Sequence, residues 1–212
     1  MKRLRSLLPI FCCLVFMHTP ALATVVYDNT VHATGASVGP DTAVYELGDT
    51  ITLAGTERVV TDFLFGYTYV WTDPGTAIVR FYGGGDGSAP LFTPFFTSDP
   101  FTITRQGDQA GLTGLSVTVP DTFTWTVEFS GPFPQVNGAL RVANPPTIGS
   151  SDPNSAWQWS ITGWMPITDS GPLNFLAQVS AEAAPVPEPT TLWVVGPWFA
   201  WMGARAWRRH RK

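Results

Sequence analysis

The chain has 212 residues, with 12 basic and 16 acidic side chains and two cysteines. The charge is segregated: residues 24–189 hold four arginines, no lysine and all 16 acids, a net charge of −12, and the other eight basic residues lie at the two ends. An acidic body without a basic patch argues against nucleic acid and against adhesion to anionic lipid.

Residues 1–23 open with Lys2, Arg3 and Arg5, continue with an apolar run over 7–17, and close on Ala21-Leu22-Ala23. This is the form of a secretory signal peptide, with Ala21 and Ala23 as the cleavage signal and signal peptidase as the processing partner. The apolar run is too short to cross a bilayer comfortably. Cys12 and Cys13 both lie inside it, and Ile10 and Phe11 before them do not fit a lipidation site. The mature chain therefore has no cysteine, which rules out a disulfide, a thiol nucleophile and a zinc–thiolate centre. Its stability has to come from an apolar core.

From residue 24 to 179 the pattern is all-β. Thr, Val and aromatic residues dominate, Gly, Pro and Asp punctuate them, and no helical period is present. Residues 122–129 alternate completely: Phe123, Trp125, Val127 and Phe129 on one face, Thr122, Thr124, Thr126 and Glu128 on the other. Such a strand buries one face and wets the other. Residues 62–71 repeat the pattern with Phe63, Phe65, Tyr67, Tyr69 and Trp71, while Leu64 and Val70 make the second face partly apolar, as in a central strand. Asp73-Pro74-Gly75 is a turn signal, and it predicts a hairpin between that strand and residues 76–82. Further strands are predicted at 24–27, 50–53, 100–104, 114–119, 138–142, 156–161 and 173–179. About ten short strands of this kind predict one β-sandwich over residues 24–180, with the jelly roll as one form it could take. Residues 144–154 read as a long connection, and residues 181–189 as an extended linker.

Catalytic signatures are sparse. The body contains one histidine, His32, and no Gly-x-Ser-x-Gly elbow. Two-carboxylate glycoside chemistry is open to a chain with 16 acids, but Glu46, Glu57 and Glu128 are scattered and no pair stands out. No catalysis is expected. Calcium prefers oxygen ligands from carboxylates and loop carbonyls, for which Asp86, Asp99 and Asp152 are candidates, although aspartate at such positions also serves simply to close turns. No other cofactor is implied. Trp157 and Trp159 share a strand face, and Trp164 follows a turn. They are candidate sugar contacts, with core packing as the competing use.

The C-terminal end carries the most specific signal. Pro187-Glu188-Pro189 precedes an uncharged, Trp-rich run, and Arg205, Arg208, Arg209, Arg211 and Lys212 follow. Residues 190–207 as a helix would extend about 27 Å, barely the thickness of the hydrocarbon core. The basic end, 208–212, would remain in the cytoplasm. Motif, short span and arginine-rich end, in that order, resemble the PEP-CTERM sorting signal of Gram-negative, biofilm-forming bacteria. Gly196-Pro197 inside the span departs from a straight helix. The resemblance implies that an exosortase, an integral-membrane transpeptidase, cleaves near Pro-Glu-Pro and passes the protein to the envelope or the surroundings, often alongside extracellular polysaccharide. Residues 46–58 and Val119-Pro120-Asp121 are similar to an uncharacterised β-rich domain common in such proteins, which implies no activity.

The sequence thus predicts a secreted, transiently tethered structural or adhesive protein of a biofilm-type matrix. A module binding exopolysaccharide is the alternative, and a glycan-active enzyme is third.

Overall fold

The computed structural model describes residues 22–39, 44–70, 72–84, 89–105, 108–131, 138–168 and 173–184. The predicted signal peptide through Ala21, together with Trp71, Asp86, Pro187, Glu188, Pro189 and the span and basic end that follow, lies outside the described residues.

Among the described residues the chain is all-β. In chain order the strands are β1 (Thr24–Asp28), β2 (Ala33–Val38), β3 (Val44–Thr52), β4 (Val59–Tyr69) and β5 (Gly75–Tyr82). There follow β6 (Pro94–Thr97), β7 (Phe101–Ile103), β8 (Gln109–Thr118) and β9 (Thr122–Ser130). The last four are β10 (Gly138–Ala143), β11 (Ser150–Ser160), β12 (Gly163–Pro166) and β13 (Ala177–Glu182). They form two antiparallel sheets. The first has the order β1-β13-β4-β10-β2, with β8 also paired to β4; the second has the order β12-β11-β3-β9-β5-β6, with β7 also on β5.

The alternation read from residues 122–129 sets the inner face of the second sheet. Phe123, Trp125 and Val127 of β9 stand opposite Ile51, Asp49 and Leu47 of β3 on one side and Phe81 and Val79 of β5 on the other. From the first sheet, β4 sends in Phe63, Phe65, Tyr67 and Tyr69, all buried. The two inner faces meet in one aromatic core. Phe63 packs edge-on against Phe81 at 5.3 Å and against Trp125 at 5.2 Å, and Phe81 against Phe123 at 5.1 Å. Edge-to-face geometry at these separations adds about 1 kcal/mol per pair beyond area burial. The central position predicted for β4 is observed: β13 runs along one side, and β8 then β10 along the other.

The predicted hairpin between residues 62–71 and 76–82 does not form. β4 lies in the first sheet and β5 in the second, where β5 pairs with β9. Both strands present an apolar face, and each face is buried against the opposite sheet. The Asp73-Pro74-Gly75 bend therefore carries the chain across the core instead of turning it back on the same sheet. Gly75 is required at the bend because a Cβ there would collide with the Tyr69 ring and the Ser130 carbonyl.

The connection predicted over 144–154 is shorter than expected. It opens with a cis Asn144–Pro145 bond, and β11 begins at Ser150. The strand then bulges, since the step from Ser151 to Ala156 faces only the step from Ile51 to Asp49. β13 carries pairing through Ala181 and Glu182, residues assigned from sequence to the linker. The two stretches noted at 46–58 and 119–121 meet in space. Arg58 Nε donates to Asp121 Oδ1 at 2.7 Å, and the Leu53 amide donates to the Asp121 carbonyl at 2.8 Å.

Candidate ligand-binding face

The outward-facing residues of the second sheet follow from the same register. On β3 and β9 they are Glu46, Gly48, Thr50 and Thr52 facing Glu128, Thr126, Thr124 and Thr122. On β5 they include Arg80 and Tyr82, and on β11 Trp157 and Trp159, which stand opposite Gly48 and Glu46.

The threonines form a ladder. Thr50 and Thr124 hydroxyls lie 2.8 Å apart, as do those of Thr52 and Thr122. Trp157 covers this ladder: it is only 8 % exposed, and its Nε1 donates to Thr50 Oγ1 at 3.1 Å. Its cross-strand partner is Gly48, where any Cβ would strike the Trp125 carbonyl of β9. Trp157 is thus spent on packing, the competing use considered for it.

Beside the ladder is an ion-pair network. Arg80 Nη1 donates to Glu46 Oε1 and Nη2 to Glu128 Oε2, each at 2.7 Å. Glu46 Oε2 also accepts from Tyr82 Oη at 2.9 Å and from Thr126 Oγ1 at 2.8 Å. Glu46 is buried, so its charge is supported by three donors. The carboxylate and burial together push the Tyr82 phenol far above its ordinary range, burial being the larger cause. Glu46 and Glu128 are direct cross-strand neighbours, a pairing invisible from their separation of 82 positions in the chain. The guanidinium fills the space between them.

At the rim of this network the aromatics become accessible. Tyr82 packs edge-on to Trp164 at 5.1 Å, Trp164 to Trp159 at 5.1 Å, and Trp159 to Phe92 at 5.7 Å. Trp159 and Trp164 are a direct pair in the β11–β12 hairpin and are half-buried. Phe92 is 79 % exposed, and Ile161 at the hairpin tip is exposed as well. Of the three tryptophans proposed as sugar contacts, Trp159 and Trp164 are brought together at an accessible rim, and Trp157 is not available there. Tyr82, Phe92, Glu46, Arg80 and Glu128 were missed from sequence. One signal was present: Arg80 is one of only four arginines in the body and falls on the outward parity of a strongly alternating strand.

The calcium candidates are not assembled in the described part. Asp152 Oδ1 accepts from the Asn154 amide and side chain, an Asx turn. Asp99 lies between β6 and β7, and no group of three His, Cys, Asp or Glu gathers among the described residues.

A concavity of about 440 Å³ lies away from this rim, at one end of the first sheet, lined in part by Tyr67, Tyr69, Arg105 and Arg141. Arg141 reaches Asp108 at 3.3 Å there.

No protein-family model, curated protein or solved structure matches the chain.

Proposed function

We propose that this chain is an exported, non-catalytic adhesive component of a bacterial extracellular matrix, a β-sandwich of jelly-roll type that holds exopolysaccharide at the rim formed by Trp159, Trp164 and Phe92. Residues 1–23 direct export. The Pro187-Glu188-Pro189 signal is cut by an exosortase, and residues 190–212 serve as a temporary tether. Alternation of consecutive strands between the sheets, as in β3, β4 and β5, favours the jelly roll.

The observation that carries the adhesive reading is the accessible edge of the aromatic row, with Phe92 standing on Trp159 beside a fixed polar network. Sugar rings offer apolar C–H faces and a rim of hydroxyls. Aromatic rings meet the first and an anchored Glu–Arg–Glu array meets the second. Ile161 beside it extends the apolar edge. Hydrolysis would need one carboxylate free to give a proton and a second free to attack or to activate water. Arg80 binds both Glu46 and Glu128, so the pair is better suited to holding a ligand than to cleaving one.

A glycan array probed with the wild type and with Trp159→Ala, Trp164→Ala and Phe92→Ala tests this. At least a tenfold loss of binding is expected for Trp159→Ala, the central ring of the row. Trp157→Ala should lower stability without a specific loss of affinity in the protein that stays folded. Binding that is unchanged in all three rim variants would remove the rim from the account. Glycan cleavage by the wild type that is lost in Glu46→Gln and Glu128→Gln would replace adhesion with catalysis.

A further inference from the structure

Between the two sheets lies a second polar cluster, unconnected to the outer face and independent of the adhesive reading. Asp49 of β3 is completely buried. Its carboxylate accepts from the Phe175 amide at 3.3 Å and lies 3.0 Å from Ser151 Oγ and 3.4 Å from Ser155 Oγ, the latter hydroxyl being closer to the Asp152 carbonyl, at 2.6 Å. None of these donors is charged, and an ionised carboxylate at such depth requires a positive partner.

The proton count around it does not close. Ser151 Oγ lies 2.9 Å from the Thr50 carbonyl and 2.9 Å from Asn174 Oδ1, besides its contact with Asp49. One hydroxyl proton can serve only one of three acceptors. Asn29 uses its amide nitrogen on the Ala143 and Phe175 carbonyls, at 2.8 and 3.0 Å. That fixes the amide orientation and leaves Oδ1, fully buried, with no donor among the described residues. The Tyr27 hydroxyl is buried beside the Ser151 and Asn29 side chains, close enough to interact with both but completing a well-formed hydrogen bond with neither. The titratable group that feels the charge of Asp49 is Tyr27, whose own other charged neighbour is Asp28; neither brings positive charge.

A proton on Asp49 would neutralise its charge but adds a single donor, whereas Asn29 Oδ1 and the oxygens crowded around Ser151 Oγ are several acceptors. A cation satisfies carboxylate, amide and hydroxyl oxygens together. The donor set is all oxygen, with neither nitrogen nor sulfur, which selects hard ions. We propose that Asp49, Asn29, Asn174 and Ser151, with the Tyr27 hydroxyl, form a binding site for a hard cation of the calcium or sodium type. The ion would tie β1, β3, β11 and the segment leading into β13. These parts are far apart in the chain, in a body that has no cysteine to join them.

The test uses the full chain, stripped with chelator and exchanged into choline chloride. Melting temperature is then read in calcium, magnesium and sodium chloride at matched ionic strength. The bound ion should raise the Tm by roughly 5–10 °C at a hundredfold excess over its Kd, while choline does nothing. A rise with calcium alone identifies a divalent site; a rise with sodium that calcium does not exceed identifies a monovalent one. Terbium emission excited through Tyr27 and Trp125 should appear and be displaced by the same ion. Asp49→Asn should abolish both signals. If that variant does not fold, Ser151→Ala, which deletes one small donor, should weaken the apparent affinity at least tenfold. Equal melting temperatures in all four salts with no terbium emission would overturn the proposal and leave a proton as the positive partner.

Discussion

At the residue scale, the fate of each buried charge is decided by what stands next to it. Arg80 is flanked by two carboxylates that would otherwise face each other across β3 and β9. Replacing it with Met removes the shared cation and leaves Glu46 buried beside a like charge. A loss of about 3 kcal/mol is expected from urea unfolding. Glu128→Gln, at the more exposed end, should cost about 1 kcal/mol or less on the same measurement. Asp49 behaves in the opposite sense. Burial holds its carboxyl well above the ordinary carboxylate range, and hydrogen bonds from Ser151 and from the Phe175 amide only partly offset it. The neutral form is therefore favoured in the folded state. In cation-free buffer its stabilising share is complete below the ordinary carboxylate pKa and is lost as pH rises through the raised one. The urea midpoint of the cation-free wild type should fall as pH rises above the ordinary carboxylate range, a decline that Asp49→Asn should flatten. These assignments were beyond sequence reading. Asp49 sits in Glu46-Leu47-Gly48-Asp49-Thr50, where an aspartate after a glycine looks like a turn. Only the pairing of β3 with β9 turns its side chain inward beside Trp125.

At the element scale, period-2 alternation was reliable and turn chemistry was ambiguous. β9 was legible as a strand because each residue of 122–129 obeys one parity, but the face expected to be wet is not: Thr124 and Thr126 are fully buried, on the ladder face that Trp157 covers. The Asp73-Pro74-Gly75 bend was legible as a bend, but a bend does not say whether the flanking strands pair. That depends on which sheet buries each apolar face, a non-local fact. The same limit hid the Glu46–Glu128 contact, and it hid the Trp159–Trp164 pair until the short β12 supplied the partner strand. Gly48 gives this scale its sharpest test. It allows the β3 and β9 backbones to approach, since a Cβ there would meet the Trp125 carbonyl and the Thr126 Cα. Gly48→Ala should cost about 2–4 kcal/mol by urea unfolding, since the added carbon meets backbone and not a movable side chain. Trp157→Phe keeps an aromatic ring but loses the indole N–H bonded to Thr50 and part of the buried volume, and a loss of about 1–3 kcal/mol is expected.

At the scale of the whole molecule, the segregation of charge and the absence of cysteine from residues 24–189 are the features on which the proposed export route rests. An acidic, cysteine-free body flanked by basic ends is an arrangement suited to export followed by trimming at both ends. The two antiparallel sheets give that body one aromatic core, with the Trp159–Trp164–Phe92 rim outside it and the Asp49 cluster inside. Removing the chief core side chain should therefore affect both sites at once. Trp125→Ala is expected to lower stability by about 3–5 kcal/mol, read as a shift of the urea midpoint. The central claim is that the working protein is this body alone, released from its leader and its tail. Intact-mass analysis of the native extracellular form tests it most directly. A mass corresponding to Thr24 through about Pro189 is predicted, whereas an extracellular form that retains Arg208 to Lys212 would contradict the sorting route.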